Sequence, residues 1–208
     1  MPRTMHINAS PRGAASQSLA LATAFLDALD GNYEVDRLDL FEDPLPEFGT
    51  MAAAAKMAAF SGQEATPEQM AVWNQCREVF DRFASADAYV FNVPMWNAGV
   101  PYRLKQWIDI ITQPGWAFGF DPAVGYSGLV TGKRAFVSYT SGVYKSGVPL
   151  EFGANFAATF FDDWLRFVGI TDVTRVNFQP TVLTATPEED FRLALSEASK
   201  LGASFPLS

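Results

Sequence analysis

Apolar positions along this chain recur with two alternating periods, and the alternation predicts a repeated strand–helix order. Arg3 to Ile7 reads as a first strand and Gln17 to Leu29 as the helix after it. Tyr33 to Leu38 alternates as a second strand beyond the Asp30-Gly31-Asn32 turn. Thr66 caps another helix, with Pro67 at its first position, running to about Ser85. Ala88 to Val93 is almost continuously apolar, as in a strand covered on both faces, and Pro94 ends it. Helical spacing returns from Arg103 to Thr112. A strand is predicted over Arg134 to Thr140, a helix over Phe152 to Val168 with Gly169 closing it, and a strand over Val173 to Phe178. The last helix, Pro187 to Ala203, is opened by Thr186 with Glu188 and Glu189 in its first turn. Two stretches break the rhythm. Residues 41–66 form a Pro-containing excursion around the small, apolar helix Met51 to Phe60, and read as a lid or insertion. Residues 113–132 are rich in glycine and aromatics and read as an irregular arm.

Strands that alternate with helices imply right-handed crossovers and a parallel sheet. Five such strands suit an α/β architecture: the doubly wound, flavodoxin-like order 2-1-3-4-5, helices on both faces, in a single domain over residues 1–208. Sheets of this kind bind ligands beyond the carboxyl ends of their strands. That rule selects three turns: Asn8 to Ser18, Pro94 to Val100 and Thr140 to Gly147.

Composition narrows the partners. The 208 residues carry a net charge of −8, which argues against nucleic acid and anionic membranes as partners. Hydrophobic residues make up 49%, so the chain can bury a substantial core. No apolar run is long enough to span a bilayer, and the N-terminus lacks the apolar stretch of a signal peptide, so a cytoplasmic location is expected. The one cysteine, Cys76, reads as a packing residue.

Chemistry concentrates at the three turns. The first, NASPRGAASQS, joins a strand to a helix start whose leading amides have no intrahelical partner. Small residues and hydroxyls there suit a phosphate, although Ser16 or Ser18 can equally serve as a plain helix cap. The second turn, Pro94-Met95-Trp96-Asn97-Ala98-Gly99-Val100, offers a flat ring, an amide and small residues. The third, Thr140-Ser141-Gly142-Val143-Tyr144, mixes small residues with one aromatic. Together they suit a planar heterocycle on a phosphorylated tail, and flavin mononucleotide (FMN) matches that description.

NASPRGAASQS, PMWNAGVPYRLKQWID and GLVTGKRAFV, with GITDV further on, resemble the FMN-dependent NADH:quinone oxidoreductase and azoreductase family of bacteria. The resemblance implies that Ser10, Ser16, Gln17 and Ser18 hold the FMN phosphate. It implies that Pro94, Met95, Trp96, Asn97 and Ala98 lie against the isoalloxazine, and that Thr140, Ser141 and Gly142 meet the ring's polar edge. It further implies a homodimer passing hydride from NADH or NADPH through FMN to quinones or azo compounds, in a ping-pong cycle. The chain departs from the family in Trp96, commonly Tyr, in Tyr144, often His, and in lacking the SRGG pattern near Ser141.

Trp96, Phe118, Phe120, Trp116 and Tyr144 are candidate stacking walls, though the arm's aromatics suit a dimer core equally well. The residues do not single out one catalytic group. Asn97 is a candidate through nearby backbone amides, and Tyr144 either donates a hydrogen bond to the acceptor or only packs. His6, the one histidine, lies inside the first strand, which argues against a Ser-His-Asp triad, and it reads as structural. Lys133 reads as a surface charge at a strand start, and no residue cluster has metal-ligand spacing. Two other classes stay open: a flavodoxin-like electron carrier without a substrate of its own, and a binding protein without flavin.

Overall fold

The computed structural model describes residues 1–206, so the expected 1–208 domain ends on two residues outside the described range. Five parallel strands form the central sheet: β1 (Arg3–Asn8), β2 (Glu34–Asp39), β3 (Ala88–Pro94), β6 (Arg134–Thr140) and β7 (Asp172–Phe178), ordered β2-β1-β3-β6-β7. This is the expected order, with β6 and β7 as the fourth and fifth strands of the sheet. β3 is buried along its whole length, as its unbroken apolar run requires.

Helices cover both faces, and each face has its own core. α1 (Gln17–Asp27) and α6 (Pro187–Ala203) pack Leu21, Phe25 and Ala198 against Val90, Phe136 and Val176. At the α1–α6 crossing a Cβ on Gly202 would lie 2.2 Å from the Phe25 carbonyl oxygen, so only glycine admits this approach. On the other face α3 (Pro67–Ala84), α4 (Tyr102–Ile111) and α5 (Phe156–Val168) bury Phe83, Trp107, Phe161 and Trp164 against Met5, Ile7, Phe91 and Val137. Alternate residues of each strand thus serve opposite layers.

The Thr66 start of α3 is a full capping box: Thr66 accepts from the Gln69 amide and Gln69 accepts from the Thr66 amide. α2 (Thr50–Ser61) occupies the excursion after β2 and packs on α3 through Ala52 and Ala55, leaving Met51, Met57 and Phe60 exposed.

Three details differ from expectation. The arm is not irregular: β4 (Phe118–Asp121) and β5 (Gly125–Gly128) form an antiparallel hairpin. Its turn closes because Asp121 Oδ1 accepts the Ala123 and Val124 amides and Gly125 takes φ +100°. Next, α5 begins at Phe156 rather than Phe152. Gly153 turns the chain at φ +102°, and Asn155 then caps the helix by accepting the Ala158 amide. Finally, Thr186 is the N-cap of α6 but its hydroxyl accepts no helix amide; it donates to Asp190 Oδ1 at 3.2 Å.

Candidate active site

Parallel pairing brings the three selected turns to one edge of the sheet. Asn8 lies opposite Asn92, and Pro94 opposite Thr140. Hydrogen bonds tie the turns together: the Ala9 amide donates to the Asn92 carbonyl at 3.3 Å, and the Met95 amide to the Thr140 carbonyl at 2.8 Å. The Ser138 hydroxyl on β6 donates to the Ser18 carbonyl at 2.9 Å, fixing the start of α1 to the sheet.

In the first turn Ser10, Ser16 and Ser18 are nearly buried, whereas Pro11 to Ala15 are exposed. Ser16 caps α1 by accepting the Leu19 amide, and its Oγ lies 3.1 Å from Ser18 Oγ. The capping reading of Ser16 therefore holds. It takes up only one of the leading donors, and the Gln17 and Ser18 amides of the same turn lack an intrahelical acceptor. A dipole end with free amides beside paired hydroxyls is a site for an anion.

The second turn is a two-residue reversal. Trp96 and Gly99 exchange both backbone hydrogen bonds, at 2.9 and 3.0 Å. Asn97 and Ala98 between them adopt φ +50° and +65°. Asn enters this left-handed region readily; Ala does so at a cost of roughly 1 kcal/mol. Strain of this kind gathers at ligand-facing turns. In the third turn Ser141 Oγ donates to the Tyr144 carbonyl at 2.7 Å, and Ser141 and Gly142 accept the amides of Thr181 and Val182.

Beside the first two turns lies an apolar cleft of about 930 Å³, bordered by Pro11, Phe41, Phe48, Trp96, Asn97 and Tyr102. Trp96 is 47% exposed at its rim. A second hollow, walled by Phe118, Phe160 and Phe167, shares Phe48, Lys105 and Asp109 with the cleft's lining. The structure thus gathers the phosphate-turn residues, Pro94 to Ala98 and Thr140 to Gly142 along one edge. It does not gather all the candidate rings. Phe118 lies in the second hollow, Phe120 stands 61% exposed on the hairpin against Tyr126, and half-buried Tyr144 lines neither space. Trp116 lines neither space; it packs on α3, 4.7 Å from Trp73 and 5.7 Å from Phe80, with the Arg77 guanidinium over its ring.

Phe41 and Phe48 were hidden in the excursion after β2. Arg103 pins that segment to α4 by donating to the Leu40 and Asp43 carbonyls. Lys133 also differs from a free surface charge, since its Nζ donates to the Ala86 carbonyl at 2.6 Å. Among the described residues no group of His, Cys, Asp and Glu has the makings of a metal site, and no helix is long and apolar enough to cross a membrane.

Strand order and the three turns at one carboxyl edge define a flavodoxin-like α/β protein, and the family model described as flavodoxin-like fold matches residues 2–201. An FMN-dependent NADH:quinone oxidoreductase of Ruegeria pomeroyi is 47% identical over 199 residues, covering 94% of this chain and 98% of that protein. One from Nitratidesulfovibrio vulgaris is 41% identical over 186 residues, 88% of each chain. Among solved structures, an FMN-dependent NADH-azoreductase from Bacillus anthracis, in complex with FMN, superposes with a TM-score of 0.87 at 26% identity, covering 98% of this chain and 99% of that one. The chain belongs to the family of FMN-dependent NADH:quinone oxidoreductases.

Proposed function

We propose that the chain is an FMN-dependent oxidoreductase that takes hydride from NADH or NADPH and delivers it to quinones or aromatic azo compounds, both substrates using one site in turn. The three turns along a single sheet edge, two of which border one cleft through Pro11 and Asn97, carry this reading. The residues fit FMN. Free amides at the start of α1 and the nearly buried Ser10, Ser16 and Ser18 suit a phosphate dianion, with Gln17 beside them. The left-handed Asn97-Ala98 turn offers backbone to a ring, as does exposed Gly142 beyond the buried Thr140 and Ser141.

Bound FMN supplies the hydride chemistry, and the protein supplies position and electrostatics. Ser10, Ser16, Gln17 and Ser18 anchor the phosphate. Pro94, Met95 and Trp96 would border the ring, and backbone amides near Asn97 and Gly142 would stabilise negative charge on it. Phe41, Phe48 and Trp96 form an apolar wall on which a flat substrate would stack.

Under nitrogen, addition of NADH to the purified protein is expected to bleach its oxidised-flavin absorption, and a quinone should restore it. Flavin that resists both NADH and NADPH would point to an electron carrier, and a chain that neither contains nor takes up FMN would end the reading. An electron carrier is disfavoured by the named relatives and by the cleft.

A homodimer belongs to the same proposal. Phe60, Phe120, Tyr126 and Phe156 are each about three-fifths exposed, and a second copy would cover them. Light scattering at micromolar concentration should give twice the chain mass; a monomer would count against the dimer. A cytoplasmic location is likewise proposed, from the single, buried Cys76.

A further inference from the structure

Thr4, His6 and Asn8, the residues of β1 on the α1 side of the sheet, are all polar, beside a layer that holds Leu21, Phe25, Val90 and Phe136. His6 and Asn92 are 2% and 0% exposed, and His6 Nε2 lies 3.0 Å from Asn92 Oδ1. Asn92 Nδ2 donates to Asn8 Oδ1 at 2.7 Å and points to Ser18 Oγ at 3.5 Å. Asn8 Oδ1 also accepts the Ser10 amide at 3.0 Å, while Asn8 Nδ2 donates to Asp39 Oδ2 at 2.6 Å. At the far end Arg37 Nη1 sits 3.2 Å from His6 Nδ1. Pairing of β1 with β2 aligns His6 with Arg37 and Asn8 with Asp39, so the chain of contacts follows from sheet register.

The charged ends orient everything between them. A guanidinium only donates, so His6 Nδ1 must accept and the ring's proton resides on Nε2. That proton goes to Asn92 Oδ1, which turns the Asn92 amide nitrogen toward Asn8 and Ser18. An ionised carboxylate only accepts, so Asp39 holds Asn8 with its oxygen free for Asn92 and the Ser10 amide. Neither amide can flip without breaking contacts at both of its ends. The chain ends on two groups of the phosphate turn, the Ser10 amide and the Ser18 hydroxyl.

We propose that His6 and Asn92 are positioning residues for the cofactor phosphate, holding Ser10 and Ser18 in place from beneath the turn. This rests on the FMN reading above. A buried polar trio could be exchanged for apolar side chains of similar volume at little cost to folding. Its directed alignment onto the turn is what such an exchange would lose.

The test compares FMN with riboflavin, which lacks the phosphate. The full chain is stripped of flavin and titrated with each, following flavin fluorescence, for the wild type, His6→Leu, Asn92→Leu and His6→Gln. Loss of the aligned contacts should weaken FMN about tenfold in both leucine variants, with riboflavin changed less than about twofold. His6→Gln, which keeps a donor toward Asn92 and an acceptor toward Arg37, should stay within about threefold of wild type for FMN. Equal weakening of both flavins, or no change in either, would overturn the proposal and leave the FMN reading standing. A wild type that binds FMN no better than riboflavin would overturn the phosphate reading and this proposal with it. If the leucine variants do not fold, His6→Asn and Asn92→Ser, which shorten the side chains but keep them polar, read the same ratio.

Discussion

Trp107→Ala is expected to cost about 4 kcal/mol of stability and to lower the melting temperature by about 10 °C. Trp107 is the largest fully buried side chain, on α4, with ring centroids 5.3 Å from Phe83 and 5.7 Å from Trp164. Alanine there would open a cavity between three elements that cannot collapse together. Trp107→Phe should cost much less, for a separate reason. The Trp107 indole N–H is buried without an acceptor, which costs roughly 1–3 kcal/mol that phenylalanine does not incur. Trp164 is the control, because its indole donates to Thr112 Oγ1 at 2.9 Å. Trp164→Phe should therefore destabilise more than Trp107→Phe. Urea unfolding of the three variants and the wild type decides it: a Trp107→Phe as damaged as Trp107→Ala would mean the N–H has a partner. The outer residues of α4, Tyr102, Lys105 and Gln106, line the cleft, so the cavity should also loosen the substrate wall.

His6 makes folding stability depend on pH. Its pKa is pushed down from 6.5 to about 4, mainly by burial; the Asn92 hydrogen bond raises it, the facing Arg37 lowers it and Asp39 raises it. In the unfolded chain the imidazole takes a proton near pH 6.5, whereas in the fold it resists until about 4. Between those values the unfolded state binds more protons, so stability falls as the pH drops through this window and stops falling on this account below it. The loss should approach roughly 3 kcal/mol. His6→Gln should abolish this component. Urea-unfolding free energies of both proteins from pH 7.5 to 4.5 test it through their difference, in which the shared carboxylates cancel. Asp36, for example, has its pKa lowered by the Arg82 hydrogen bond, and its contribution is lost only at lower pH. Parallel curves for wild type and variant would mean that His6 is already charged, or already exposed, in the fold.

Much of the architecture was legible along the chain because its signals are local. The Thr66-Pro67 cap, the unbroken apolar run of β3 and the Pro, Gly and Asn turns each act within a few residues. Their order alone leads to the parallel sheet and to the three turns at its carboxyl edge. Family resemblance then named a cofactor that those turns already suited. The hairpin β4–β5 was not legible in this way. Its strands are four residues each, and its docking depends on Gly128, where a Cβ would lie 2.3 Å from the Gly169 amide nitrogen, forty-one residues onward. The start of α5 was misplaced because helical spacing extends through Phe152, while Gly153 and Asn155 set the true boundary by backbone geometry.

The polar network under the phosphate turn had a trace in the Thr4-Met5-His6-Ile7-Asn8 alternation, which is odd for a strand in the middle of a sheet. Local pattern could show that His6 shares a face with Asn8. It could not show that Arg37, Asp39 and Asn92 would meet them there. Nor could it place Trp116 on α3 while leaving Trp96 at the rim of the cleft. Periodicity and turn chemistry reflect interactions between near neighbours in the chain. Partners for a buried imidazole, or for one ring among many, are set by register and packing between segments far apart in sequence, and these exist only once the sheet has assembled.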